Sequence, residues 1–460
     1  SLRLVAAAAT LVGGHQLVGA ATRQANAPLD ERVAAIVKSE ILAQGVPSVS
    51  VAVMRDGKML LERAWGVADI EKNAGASNTT TYPVGSLTKQ FTAALVLKQV
   101  DRGRLALTDP IGKHLAGLTA EAGTMTIEQL LNHTSGLKRA IVDPESRFEN
   151  MSVDSLLTKA VRDKLETKPG TTFAYSNAGY TVLGVLVEKL YGTSYAAALH
   201  DEIASPLQLT TLSKCAEPKP GEAPGYMRAP GAKPGPPLGV HHSQSLGAGG
   251  ICATAADLVT WTHALHTGRV LSPASYQAMI TPRGAAIASK YGFGLSVGPA
   301  PWGQMVIDHG GQSLTGHTAE LNWYPQHSLA VALLYNAYPR VPGVSDIVPR
   351  LVLGVPLPAP AAAPSGVTPS DTPTPAERTK LAGVYELTAQ RTFEVTLENG
   401  ELYVTPSGDS KQPLVFRSGN TYALGSADST TAITFIIENG TVTGFEANAN
   451  GSKRMLKKIR

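Results

Sequence analysis

Val49, Val51 and Val53 alternate with smaller residues until Asp56-Gly57, after which Met59-Leu60-Leu61 resumes an apolar run. Alternation broken by a turn pair predicts a β-hairpin. From Ser86 to Val100 the period lengthens, and Leu87, Phe91, Ala94 and Leu95 fall on one helical face. Thr126–Leu131, Asn177–Tyr191 and Ala255–His266 also read as helices. Thr318–Tyr324 and Leu329–Tyr335, joined by a short Pro-Gln-His turn, read as a second hairpin. Strands at both ends of a module with helices between them predict one antiparallel sheet closed by its termini, with a helical insertion in the middle.

The last part of the chain has a different rhythm. Phe393, Val395 and Leu397 alternate before Asn399-Gly400, and Ile433, Phe435 and Ile437 alternate before Asn439-Gly440. Seven or eight short strands with Asn-Gly turns predict a small antiparallel β-barrel or half-barrel over 377–460. Between the modules, 354–376 is almost entirely Pro, Ala, Ser, Thr and Gly, so it reads as an extended linker after a large module at 28–353. A second Pro-rich stretch, 217–238, lies inside the large module and reads as a surface loop. Residues 1–27 have the pattern of a secretory signal: Arg3, an apolar run from Leu4 to Val12, and Ala25-Asn26-Ala27 as a cleavage site. The expected location is therefore periplasmic or secreted.

Composition narrows the function. Hydrophobic residues make up 43% and charged residues 17%, a globular balance. The net charge of +4 resides in the last eight residues, where Lys453, Arg454, Lys457, Lys458 and Arg460 lie; the remainder is close to neutral. That is not the footprint of a nucleic-acid binder. Neither a membrane-spanning run nor a phosphate or dinucleotide loop is present, and no feature reports an oligomeric state. Cys215 and Cys252 form one bridge or remain two buried thiols.

Three short elements carry candidate chemistry. Ser86-Leu87-Thr88-Lys89 places a hydroxyl and an amine three residues apart, on one helical face, where the amine can activate the hydroxyl. Alone this is weak, since such a spacing arises by chance on the order of once or twice in a chain of this length, and a helix cap beside a solvated lysine is the plainer reading. Tyr175-Ser176-Asn177 offers a phenol, which beside an ammonium can ionise below its usual pKa of about 10, and an amide able to hold a substrate amide. Its plainer reading is an Asn helix cap beside a core tyrosine. His309-Gly310-Gly311 follows a strand-like run, and its glycines would let a substrate approach the backbone.

Together and in this order, the three elements resemble the motifs of the penicillin-recognising serine hydrolases, in particular the class C β-lactamase-like branch with its DD-peptidases, D-aminopeptidases and esterases. The stretch from Thr126 to Leu137, Ala248-Gly249-Gly250 and Tyr291-Gly292-Phe293-Gly294 are similar to the same family. The resemblance implies an α+β fold, an antiparallel sheet with helices on both faces and a helical subdomain. It implies Ser86 as the acylated nucleophile, Lys89 and Tyr175 sharing the base and acid work, and Asn177 holding the substrate amide. His309, Gly310 and Gly311 would line the substrate strand, and the backbone N–H groups of Ser86 and Gln312 would bind the oxyanion. A small-molecule or peptide substrate and no metal or organic cofactor are expected.

The third element departs from the Lys-Thr-Gly expected of class C β-lactamases. A histidine of pKa about 6.5 is mostly neutral at pH 7, so efficient β-lactam hydrolysis is not expected, and amides of D-residues or esters are. A titrating His309 would favour carboxylate-bearing substrates as pH falls from about 8 to about 6. The alternatives are a true class C-like β-lactamase, or a penicillin-binding sensor that acylates without turnover. Gly294-Leu295-Ser296-Val297-Gly298 matches a nucleophile elbow, but Pro299-Ala300-Pro301 follows where a helix is required. His263 and His266, and His241-His242, read as structural pairs.

Overall fold

The computed structural model describes residues 27–139, 147–215, 221–228, 233–341, 343–357, 373–388, 391–398, 400–406, 412–424, 431–449 and 452–460. Residues 1–26 of the signal-like segment and the middle of the Pro-rich linker lie outside them. The chain divides between Val355 and Pro356 into two compact units.

The larger unit is built on seven strands: β1 (Ser48–Arg55), β2 (Lys58–Asp69), β3 (Ala74–Gly75), β4 (Ser296–Pro299), β5 (Met305–Ser313), β6 (His317–Tyr324) and β7 (Leu329–Tyr335). Their order is β3-β2-β1-β7-β6-β5-β4, antiparallel throughout. The first strand thus pairs with the last, Val49 facing Tyr335, as the terminal hairpins predict. The β1–β2 turn has Asp56 at φ 51° and Gly57 at φ 74°, the left-handed pair of a type I′ turn.

Helices cover both faces. On one, Val49, Val51 and Val53 pack with α1 (Leu29–Ile36) and with a helix at Val344–Leu353 that ends on left-handed Gly354. On the other, Ala52 and Met54 share one core with the inserted helices α2 (Thr88–Asp101), α3 (Ile127–Leu131) and α4 (Asn177–Tyr191), and pack on α5 (Ala255–His266). Cover on both sides explains why the polar positions of β1 are buried too: Ser48 Oγ donates to Asn336 Oδ1 at 2.8 Å and sits 3.1 Å from the Tyr82 hydroxyl. It also changes the reading of α2. Leu87, Phe91, Ala94 and Leu95 are buried as expected, but so are Gln90, Thr92, Ala93, Val96 and Leu97, because the helix runs through the centre of the unit. Phe91 stacks on Trp261 at 4.3 Å, and the Trp261 indole donates to Gln90 Oε1 at 2.7 Å, locking α2 to α5.

The Pro-rich stretch 217–238 is not wholly a surface loop. Among its described residues, Ala223 and Tyr226 are buried, and Tyr226–Met227 pairs in parallel with Ala337–Tyr338. Cys215 and Cys252 form a disulfide, resolving the two readings of the pair.

The smaller unit opens with a helix, Pro375–Leu381, capped by Thr374 and Glu377, so the linker-like composition overlaps its first residues. Eight antiparallel strands, β8 (Gly383–Thr388), β9 (Arg391–Glu398), β10 (Glu401–Pro406), β11 (Gln412–Ser418), β12 (Thr421–Leu424), β13 (Thr431–Glu438), β14 (Thr441–Ala449) and β15 (Ser452–Lys458), close into a barrel through β8–β15 pairing. Val395, Ile433 and Phe435 point inward, but Ile437 is exposed, because a register shift between Ile436 and Ile437 interrupts the alternation.

Candidate active site

Ser86 sits in a tight turn, Gly85–Leu87, that feeds directly into α2. It is partly exposed, and its side chain caps nothing, which sets aside the helix-cap reading. Two glycines make the turn fit against β5. Gly85 has φ 53°, and a Cβ there would lie 2.9 Å from the Gln312 nitrogen. A Cβ on Gly311 would lie 2.0 Å from the Val84 oxygen and 3.2 Å from the Ser86 nitrogen. Only bare backbone at 85 and 311 lets the Ser86 turn and the Gln312 stretch of β5 approach this closely.

Lys89, one turn on, is fully buried. Its Nζ lies 3.2 Å from Ser86 Oγ, 2.8 Å from Asn177 Oδ1 and 2.8 Å from the Ala248 carbonyl. Burial, and then the nearby Arg139 guanidinium, hold its pKa well below the usual lysine range. The Tyr175 ring centroid is 4.8 Å from Lys89 Nζ. The expectation of an easily ionised phenol does not hold: burial pushes Tyr175 up to about 12, outweighing the pull of the Ser86 hydroxyl and Arg139. The helix-cap reading of Asn177 also fails, since Ser176 accepts from the Gly179 amide at 3.0 Å, leaving the Asn177 amide free to meet Lys89.

His309 lies on β5, not in a turn, and is buried. The Ser176 N–H donates to His133 Nδ1 at 3.1 Å, which places the His133 proton on Nε2, 3.3 Å from the Tyr291 hydroxyl. The Tyr291 hydroxyl then donates to His309 Nε2 at 2.9 Å, and His309 Nδ1–H donates to the Gly310 carbonyl at 2.7 Å. Every partner is consistent with two neutral imidazoles. Burial, with the Lys89 charge, lowers His309 to about 3, and burial holds His133 well below its ordinary value. The expected titration of His309 between pH 8 and 6 is therefore corrected: the ring is neutral throughout that range, because dehydration costs the cation more than the Gly310 contact returns.

Ser86, Lys89, Tyr175, Asn177 and His309 are thus one cluster, with the Gly310–Gln312 backbone alongside. His133, Tyr291 and the Ala248 carbonyl join it from stretches whose sequence carried family likeness but no individual role. Arg139 carried no sequence signal. Ser296 begins edge strand β4, without the strand–turn–helix context of a nucleophile elbow. His266 stacks on Trp323 at 5.1 Å and bonds the Tyr276 hydroxyl at 2.9 Å, while His241 caps the turn at Ser243.

A family model described as β-lactamase matches residues 23–352. Protein flp of Staphylococcus aureus (strain MW2) is 31% identical over 203 residues, covering 43% of this chain and 41% of flp, so this chain spans less than half the length of that relative. Among solved structures, a D-stereospecific amidohydrolase from Streptomyces sp. is 25% identical with a TM-score of 0.60, covering 68% of this chain and 96% of that one. An octameric penicillin-binding protein homologue from Pyrococcus abyssi is 21% identical with a TM-score of 0.62, covering 93% and 99%, a likeness of fold. The family match takes in every clustered residue from Ser86 to Gln312, and the chain belongs to the β-lactamase family of serine hydrolases.

Proposed function

We propose that the protein hydrolyses amides of D-residues or esters through an acyl-enzyme on Ser86, in the periplasm or outside the cell. The observation that carries this reading is the environment of Lys89. Two of its three neighbours, the Asn177 and Ala248 oxygens, can only accept hydrogen bonds. A neutral amine satisfies both with its two N–H groups and turns its lone pair on Ser86 Oγ, the third neighbour. The depressed pKa makes that neutral form accessible.

In acylation, Ser86 Oγ bonds to the substrate carbonyl carbon and its proton passes to Lys89. The oxyanion lies between the Ser86 and Gln312 N–H groups. The bond to the leaving nitrogen or oxygen breaks as Tyr175, still a protonated phenol, supplies the proton and is reprotonated by Lys89. Water then hydrolyses the ester through the same groups in reverse. Asn177 and the strand from His309 to Gly311 hold the substrate amide, which accords with the amidohydrolase likeness. The neutral His309 offers no cation on β5 for a lactam carboxylate, so weak or no β-lactam turnover is expected.

A fluorophosphonate should label one tryptic peptide, the one containing Ser86. Ser86→Ala should abolish labelling and lower turnover roughly 10³-fold or more. Label on a peptide containing Ser296 would overturn the assignment.

A further inference from the structure

The ionisable groups that shift Lys89, Tyr175, His133 and His309 are Lys89, Arg139 and Arg340, together with His309 acting on His133. Lys89 and His309 act as neutral groups, and Arg340 is paired with Glu320 at 2.7 Å, which leaves Arg139 as the cation to account for. Arg139 is the exposed member at the Tyr175 side. Its carbonyl accepts from the Asn177 N–H at 2.7 Å, which ties its backbone to the motif, and its guanidinium carbon lies 5.4 Å from the Tyr175 ring centroid. Its neighbour Lys138 is paired with Asp163, whereas Arg139 has no acidic partner among the described residues. An arginine fork without a carboxylate partner among the described residues, beside Tyr175 and facing solvent, is a receptor for an anionic group.

We propose that Arg139 sets the charge preference of the site, favouring substrates that carry a carboxylate on the N-acyl group of the D-residue and disfavouring those with a free α-ammonium. The inference rests on the serine-hydrolase reading above and narrows its substrate class. An unblocked D-amino acid amide brings an ammonium towards the Arg139 guanidinium. The same amide N-acylated with a dicarboxylic acid brings an anion to the guanidinium.

The test compares kcat/KM for three anilides of one D-amino acid: the free amine, the N-acetyl and the N-succinyl derivative. In the wild type, the succinyl substrate should exceed the free amine at least tenfold. That ratio should fall ten- to a hundredfold in Arg139→Glu, fall less in Arg139→Met, and be largely retained in Arg139→Lys. Raising salt from 50 to 500 mM should compress the wild-type ratio. A ratio unchanged in Arg139→Glu, or a wild type that prefers the free amine, overturns the inference while leaving Ser86 catalysis intact. If no anilide turns over, the ratio is read from phosphonylation rates of Ser86 by a carboxylate-bearing and a neutral phosphonate. Absence of labelling by both overturns the hydrolase reading and this inference with it.

Discussion

At the scale of single residues, the division of labour between Lys89 and Tyr175 follows from one cause acting with opposite sign. Burial penalises charge, so it lowers an amine and raises a phenol. The amine is thereby fitted to take a proton and the phenol to give one. The acid limb of kcat/KM should therefore belong to Lys89, with activity falling as pH drops through its lowered pKa. No alkaline limb from Tyr175 should appear below about pH 11, since its value lies near 12. Lys89→Arg keeps the charge but cannot release a proton near neutrality, and should cost about 10²–10⁴-fold in kcat/KM at every accessible pH. A pH–rate profile of wild type and variant checks both. A variant that retains more than a tenth of the rate would remove Lys89 from the base role. His309 shows the same physics: nothing in His-Gly-Gly announces that its ring is dehydrated and already held by Tyr291 and Gly310.

At the scale of elements, the nucleophile is positioned by short pieces held from several sides. Tyr82–Pro83, just before Ser86, pairs with Ile251–Ala253, which also pairs with Ser213–Lys214. The Ile251 amide donates to Thr88 Oγ1 at 3.1 Å, and the Ala248 carbonyl three residues earlier holds Lys89. The disulfide joins this three-stranded piece across a separation of 37 residues. Closing a loop of that size stabilises a fold by about 3–4 kcal/mol in the chain-entropy account. Replacing both cysteines by alanine should lower the unfolding free energy by that order, measured by denaturant titration. Because the strand that carries Cys252 also anchors the Lys89 acceptor, the rate of Ser86 labelling should fall as well. Unchanged labelling at reduced stability would confine the bridge to a role in folding.

At the scale of the whole molecule, the two units have separate cores. Tyr385, Leu402, Leu414, Tyr422, Phe435 and Phe445 fill the barrel, and β8–β15 pairing leaves it no open edge. Residues 373–460 expressed alone should therefore unfold cooperatively, with a stability on the order of 5 kcal/mol. A broad, non-cooperative melt by circular dichroism would mean that the barrel depends on the preceding unit for its fold.

What the sequence determined by itself was local or periodic. The alternation at Val49–Val53 and Leu329–Tyr335 specified terminal strands, the spacings at Asn177–Tyr191 and Ala255–His266 specified helices, and Ser86-x-x-Lys89 specified a hydroxyl and an amine on one face. These depend on neighbours a few positions away, so they are written in the order of residues. The three motifs also carried the family, because each is short and contiguous. The tertiary structure alone decided dehydration and long-range pairing. It buried α2 on every side, made Tyr175 a weak acid and His309 a neutral ring, and joined Cys215 to Cys252. It also brought Arg139 to the Tyr175 ring from a position with no motif of its own. A side chain's pKa depends on what surrounds it in space, and those surroundings come from strands and helices up to some two hundred residues apart in sequence.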